Sequence, residues 1–535
     1  MAEILVPLGS SPGIKRDGTR FEGNSYVDGQ WVRFQRGLPR KMGGYRQISN
    51  YIGGIVRQFH TQALDNYVYT HVGHQNGVQR FTLDYDGNAS APSDRTPAGF
   101  VANDNFNWMF DAMYDGAGSK TVLIAHATAT LDDISSSVNY PAYIGDIYDT
   151  GALTQIPTPG VCGGIVVLHP YLFMYCKNGF IKWSDANDPT NFTTGDAGDA
   201  FIASSKIVKG LPLRGGGQSP AGIFWTLDSV IRATYTGGDD VFRFDTITAS
   251  SSILSANSVI EHDGIFYWIG IDRFLMYNGV VREVENNMNI NYFFDGLNFE
   301  YGNKVFAFKV PRFGEIWWCY PRGDATECSH AVIYNYRENT WYDCELPNGG
   351  RSAGVYAQVY RSPLMAGIQP VPLGAGDYRI TELDDLRITE DGAQRITDTG
   401  STTYKIWRHE VGVNEIDGPE VNAIKSYFET ADITMLIAEK PRSVALGVKC
   451  IEPDFVQSGD MSVQVTGRIN ARAPEVASEP HFFPDNPSSP VEQLVFFKEQ
   501  RRELRFRFES NTVNGDYQVG QIIAHLDTGD GRIRS

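Results

Sequence analysis

Glu261-His-Asp-Gly-Ile-Phe-Tyr-Trp-Ile-Gly-Ile-Asp-Arg-Phe-Leu-Met-Tyr-Asn-Gly-Val-Val-Arg-Glu-Val284 reads as a small antiparallel β-meander. An apolar and aromatic run, Ile265 to Ile269, is followed by a turn near Gly270 to Arg273. A second run, Phe274 to Tyr277, leads into the hairpin signal Asn278-Gly279 and a third strand. Imperfect relatives recur at Tyr67 to Leu83, Tyr171 to Trp183, Ile223 to Tyr235, Val305 to Tyr320 and Ala331 to Trp341. Their spacing, roughly 25 to 50 residues, overlaps the period of architectures in which each repeat is one sheet stacked on the next. A single meander cannot bury its apolar face, whereas a ring of them can. The expected fold class is therefore all-β: a β-propeller with an additional β-rich platform domain and a small acidic β-repeat insertion. A β-sandwich, or two consecutive β-domains, also fits short strands with regular turn signals. The number of blades is not legible.

At 535 residues the chain exceeds one ordinary domain. Hydrophobic residues make up 42%, with 27 Tyr, 30 Phe and 9 Trp, which supplies a large core, and 55 Gly suit a chain with many turns. No apolar run reaches the length of a membrane span, and Met1-Ala-Glu-Ile lacks the basic and apolar regions of a secretory leader. The expectation is a chain without membrane insertion. The six cysteines, Cys162, Cys176, Cys319, Cys328, Cys344 and Cys450, form no Cys-x-x-Cys pair and are too sparse for a disulfide scaffold, so they read as buried free thiols.

The net charge of −17 argues against a surface that grips nucleic acid throughout. Residues 1–50 differ from the rest. Eight basic side chains against four acidic ones give this segment +4, leaving −21 on the other 485 residues. Ser10-Ser11-Pro12-Gly13, Asp28-Gly29 and Gly43-Gly44 break any helix, so the segment is expected to run as an extended basic arm with short strands around Tyr26 and Trp31 to Phe34. Such an arm either docks on a partner or wraps its own domain.

Within the arm, Arg16-Asp-Gly-Thr-Arg-Phe-Glu-Gly-Asn-Ser-Tyr-Val-Asp-Gly-Gln-Trp-Val-Arg-Phe-Gln-Arg-Gly-Leu-Pro-Arg-Lys-Met-Gly-Gly-Tyr45 resembles the opening of the tail nozzle proteins of short-tailed bacteriophages, also called packaged-DNA stabilisation or tail tubular B-like proteins. Ile181-Lys-Trp-Ser-Asp-Ala-Asn-Asp-Pro-Thr-Asn-Phe192 looks like that family's Trp-Ser-Asp turn. Glu503-Leu-Arg-Phe-Arg-Phe-Glu-Ser-Asn511, Asp516-Tyr-Gln-Val-Gly520 and Gly529-Asp-Gly-Arg532 look like its ending. The resemblance implies a propeller subunit of a homohexameric ring below the portal and adaptor, retaining the packaged genome and forming the tube through which it leaves. It further implies assembly in the host cytoplasm, a place in the virion tail, and contacts with an adaptor, with a fibre or tailspike, and with a needle. Double-stranded DNA would pass transiently without specific binding. Arg16, Arg20, Trp31, Arg33, Arg36, Arg40 and Lys41 are the expected assembly-interface residues.

Four segments follow: the arm and docking platform at 1–50, the propeller at 51–365, an insertion at 366–403, and a C-terminal β-domain, part of the platform, at 404–535. In the insertion, Arg379-Ile-Thr-Glu, Arg387-Ile-Thr-Glu and Arg395-Ile-Thr-Asp repeat every eight residues. An even period returns each side chain to the same face of a strand-and-turn unit. The insertion is acidic, and Glu382, Asp384, Asp385 and Glu390 are the expected channel-lining acids. In the C-terminal segment, Leu504, Phe506 and Phe508 alternate with Arg505 and Arg507, and so divide between the two faces of one strand.

No catalytic, cofactor-binding or metal-ligating residue is nominated. Gly350-Arg-Ser-Ala-Gly354 matches a nucleophile elbow, but a turn precedes it and a strand follows, where the elbow requires a strand before and a helix after. Gly118-Ser-Lys-Thr121 lacks the glycines of a P-loop, and His71-x-x-His74 lacks a third ligand. Ser184 to Asp199 is rich in oxygen ligands without the spacing of a calcium loop. Three function classes stand at this point: a structural conduit of a virion, a propeller-type carbohydrate-active or carbohydrate-binding protein, and a scaffold for other proteins. The acidic balance favours the conduit, because negative walls repel phosphates.

Overall fold

The computed structural model describes residues 4–19, 24–128, 140–157, 163–176, 178–214, 220–238, 240–359, 361–372, 402–434, 445–470, 472–489 and 492–528. The chain is all-β, with 56% of the described residues in strands. Among the described residues helix is confined to α1 (Ile290–Gly296) and two short 3-10 segments.

The stretch that reads as a meander forms one four-stranded antiparallel sheet, Ile260–His262, Ile265–Ile269, Phe274–Tyr277 and Val281–Glu283. The extra strand lies before Asp263-Gly264, where both residues take positive φ (50° and 77°), the backbone of a two-residue hairpin turn that splays neither strand. Alternation then divides the side chains between two neighbours. Phe266 and Trp268 face Trp225, whose ring centroid lies 5.6 Å from that of Trp268. Phe274 faces the opposite way, 4.6 Å from Trp341. A sheet covered on both faces needs apolar residues at every position of its inner strands, and Tyr171–Tyr175 and Ala221–Thr226 are buried throughout.

Five further four-stranded sheets share this antiparallel order, each built from strands consecutive in sequence. They span Val56 to Asp94, Asn107 to Gln155, Gly164 to Phe201, Ile207 to Thr248 and Phe306 to Glu345. Buried clusters join each sheet to the next in chain order.

A six-stranded sheet departs from that local rule. Its order is Arg351–Ala357, Ser362–Pro372, Thr402–His409, Tyr45–Ile52, Glu415–Asp417 and Glu420–Asn422. The strand from the N-terminal segment is thus inserted between strands from the far end of the chain, and the sheet crosses the expected divisions at residues 50, 365 and 403. One of its faces shares a cluster with the sheet beginning at Val56, through Ile52, Val56, Leu364 and Ile406.

Three further sheets pair strands of the N-terminal segment with strands of the C-terminal segment. Ile4–Leu8, Ile522–Thr528, Leu446–Glu452 and Val495–Arg501 make one sheet. Asp28–Gln30, Ser426–Glu429, Glu503–Ser510, Met461–Arg468 and Val476–Ala477 make a second, and Phe455–Ser458, Asp516–Val519, Leu38–Lys41 and Val32–Gln35 a third. The alternation of Glu503–Ser510 holds: Leu504, Phe506 and Phe508 lie in the core. On the other face Arg505 is buried against Glu429 and Glu475, and Arg507 lies over the Tyr427 ring.

The β-propeller expectation is corrected: the sheets are neither closed nor curled. Turn chemistry and alternation define hairpins and the burial of each face, which are local properties. They do not define how open sheets are disposed about one another, and the all-β class is the part of the expectation that stands. The octad insertion, with Glu382, Asp384, Asp385 and Glu390, lies outside the described residues, as does Arg20. Its base is described, since Pro372 pairs with Thr402 at the end of an antiparallel hairpin.

Candidate functional site: the basic arm and its clamps

Arg16 ties the arm to the sheet beginning at Phe306. Its guanidinium holds Asp343 through Nε (3.0 Å to Oδ1) and Nη2 (3.0 Å to Oδ2), and Nη1 donates to Asp28. The two-pronged geometry matches a planar fork to a carboxylate. Burial works against the charge on Arg16, yet Asp343 and Asp28 raise its pKa above the usual arginine value. Burial raises the pKa of Asp343, with Arg16 acting in the opposite direction.

The next residue serves a different purpose. Asp17 Oδ2 and Oδ1 accept the N–H groups of Asn291 (2.8 Å) and Tyr292 (2.7 Å), which belong to the first turn of α1 and have no partner inside the helix. Asn289, which precedes the helix, makes no side-chain capping bond, so a residue remote in sequence supplies the cap. Asp17→Ala is expected to lower stability by about 1 kcal/mol, read as a shift of the urea midpoint of the full-length chain. An unchanged midpoint would show that the cap contributes nothing.

Trp31 holds the arm in place from within. Its backbone takes φ of 53°, a left-handed conformation that costs a non-glycine residue about 1–3 kcal/mol. The buried indole offsets that cost by donating Nε1–H to the Gly43 carbonyl (3.1 Å) and packing edge-on to Tyr45 and Trp317. The Trp31 carbonyl accepts from Met42 N–H and from the Ser426 hydroxyl. Gly44 is required for a separate reason. A Cβ there would lie 2.6 Å from the Asn414 nitrogen, because the backbone of the Gly43-Gly44 pair runs directly against the segment that follows Thr402–His409.

Arg33, on Val32–Gln35, is the centre of the arm. Its side chain is 1% exposed. Nη1 donates to Glu410 Oε2 (2.8 Å) and Nη2 to Glu410 Oε1 (2.5 Å), while Nε lies 2.8 Å from Glu315 Oε1. Glu315 also accepts from the Tyr342 hydroxyl (2.7 Å) and the Trp317 indole (2.9 Å), so all its partners are buried. The guanidinium stacks 3.7 Å over the Phe313 ring. Burial opposes the charge on Arg33, but the two carboxylates hold the group protonated well beyond the ordinary arginine range. Burial pushes Glu315 up despite Arg33. The network joins the arm to the sheet beginning at Phe306 and to the loop after Thr402–His409.

Lys41 Nζ donates to the Gly515 carbonyl (2.6 Å), and burial lowers its pKa to about 8. Arg40 donates to Gln35 on the neighbouring strand. Arg36 is exposed, and the turn it forms with Gly37 is held by Glu338, whose carboxylate accepts both backbone N–H groups. Of the residues expected at an assembly interface, Arg16, Trp31, Arg33 and Lys41 therefore have their polar groups engaged inside the chain. Arg36 is open to solvent and Arg40 partly so.

Sequence reasoning missed the counter-ions. Glu315 carries a signal, since it opens an otherwise apolar strand, Glu-Ile-Trp-Trp-Cys-Tyr, where an acid is out of place unless paired. Ser352 of the elbow-like motif is buried within Arg351–Ala357. His71 lies on Tyr67–His74, with Nε2 3.0 Å from Arg95 Nη1. Among the described residues no group of three or more His, Cys, Asp or Glu side chains is arranged to hold a metal.

No protein-family model matches the chain. No curated protein matches it either. Among solved structures, the chain is similar to the computationally designed Ika8 protein. The match has 11% identity and a TM-score of 0.33 and covers 68% of this chain and 99% of that one. A likeness at that score carries neither fold nor function.

Proposed function

We propose that this chain is a structural protein of a bacteriophage tail, one subunit of a ring-shaped nozzle that retains the packaged genome and conducts it on ejection. The observation that carries the reading is the arm. The residues that resemble the nozzle family's opening, Arg16 to Tyr45, are those whose side chains fasten the arm to the sheet beginning at Phe306 through Arg16, Trp31 and Arg33, while Lys41 fastens it to Gly515 of the C-terminal segment. A conduit under pressure needs its parts held rigidly, and buried bidentate ion pairs set inside an aromatic core do this. The acidic balance of the whole chain suits a wall that DNA must pass without adhering.

Electron microscopy of the purified full-length protein tests the reading. Rings with a central hole are expected, and compact single subunits at every concentration would count against it. In the same assay Arg36→Glu combined with Arg40→Glu is expected to reduce ring formation while leaving the denaturation midpoint within about 0.5 kcal/mol of the parent. Normal rings from that variant would remove these two side chains from the interface.

A further inference from the structure

The first strands of several sheets line a cleft of about 270 Å³. They contribute Gln58, Phe110, Lys209, Lys309 and Tyr356, with Asn257 from the turn before Ile260–His262. Most of these groups are satisfied from within the chain. Lys309 Nζ donates to the Glu261 carbonyl at 2.8 Å and lies 3.9 Å from its carboxylate. Gln58 donates to Asn257, and Asn257 to the Arg57 carbonyl.

Lys209 is the charged group without such a partner. Among the described residues its amine has no hydrogen-bond acceptor and no ion pair, although it lies within the field of Asp111. Asp111 is occupied elsewhere: its carboxylate accepts the Val167 N–H at 2.8 Å and its neighbour Ala112 N–H at 2.9 Å. The side chain is half-buried, and an ammonium has three donors and no acceptor capacity, so its donors stay open to an anion that enters the cleft. Desolvation in the cleft pushes the Lys209 amine down to about 8, with Asp111 opposing the shift, so the group still carries its proton at neutral pH.

We propose that this cleft binds a small aromatic carboxylate, its carboxylate on Lys209 and its ring against Phe110 and Tyr356. Of the two lysines of the cleft, Lys209 is the one with no acceptor among the described residues, which selects an anion. The neighbouring walls are aromatic, which selects a flat apolar body. The volume lies below the usual range for drug-sized ligands and restricts the occupant to a single ring. The site is independent of the nozzle reading and stands or falls without it.

Titration of the full-length protein with sodium benzoate at pH 7, followed by calorimetry, tests the proposal, with sodium acetate and benzyl alcohol as probes lacking the ring and the charge. Benzoate is expected to bind at least tenfold more tightly than either. Lys209→Met is expected to weaken benzoate at least tenfold, Lys309→Met less than threefold, and binding by the parent is expected to fade as pH rises past about 8. Should Lys209→Met fail to fold, acetylation of the parent protein mapped by mass spectrometry replaces it, and benzoate is expected to protect Lys209 selectively. No heat with benzoate, equal affinity in Lys209→Met, or labelling of Lys209 unaffected by benzoate would each overturn the proposal.

Discussion

Arg33→Met is expected to destabilise the chain by about 3–5 kcal/mol, because it leaves Glu315 without its cation inside the core. The loss exceeds that of a surface ion pair, which is about 0–1 kcal/mol, since neither Arg33 nor Glu315 can recover its interactions from water. Pairing the substitution with Glu315→Leu is expected to restore part of the stability, because two apolar groups leave no charge unpaired. Tyr342 and Trp317 would still lose the acceptor that Glu315 supplies, so the recovery is partial. Chemical denaturation of the three variants decides the matter. An Arg33→Met protein with the parent's midpoint would mean that the network contributes geometry without net stability.

The second large effect is acid sensitivity. Burial lowers the pKa of His60, His74, His126 and His330 to about 4. It also lowers His71 and His409 well below the usual histidine value, with Arg95 and Arg351 among the neighbours that add to the effect. In the unfolded chain these rings titrate near 6.5. Below that pH the unfolded state binds more protons than the folded one, so stability is full above about pH 7 and falls as pH drops through 6.5 toward 4. His74 and His126, both nearly inaccessible, are each expected to account for about 2 kcal/mol of loss by pH 5. Denaturation midpoints at pH 7 and pH 5 are expected to differ by several kcal/mol in all. His126→Gln retains a donor toward the Pro141 carbonyl and is expected to flatten the dependence. A protein equally stable at both pH values would show that these rings are hydrated in the native state.

The parts of this architecture that were legible in the sequence are those decided within a few residues. Asp263-Gly264 takes the positive φ values that its residue types permit, and the aromatic runs Ile265–Ile269 and Phe274–Tyr277 become strands. The sheet from Asn107 to Gln155 escaped notice because its opening strand, Asn-Trp-Met-Phe-Asp-Ala-Met-Tyr-Asp, mixes acids into an aromatic run and imitates no neighbour. Asp111 on that strand is explained by the Val167 N–H it accepts, a partner set by tertiary structure. The arm's basic character was visible, but its destination was not. A surplus of arginine looks the same in sequence whether its counter-ions belong to another subunit or, as for Arg33, to Glu315 and Glu410 of the same chain. Similarly, recurring meanders reveal sheets but not their mutual arrangement, which is where the propeller expectation failed.

Strand Tyr45–Ile52 has a consequence for the birth of the protein. It is flanked in its sheet by Thr402–His409 and Glu415–Asp417, and the neighbouring Arg33 finds Glu410 at a separation of 377 residues. A ribosome adding about 5–20 residues per second needs on the order of tens of seconds to deliver those partners. Throughout that interval both edges of the strand are unpaired, and an unpaired edge accepts any extended chain that reaches it. On a polysome the nearest such chain is the same strand of the adjacent nascent copy. Slow elongation between residues 52 and 402 is therefore expected to favour entangled, misassembled chains, and holding the N-terminal strand apart until Thr402–His409 emerges is a task for a chaperone.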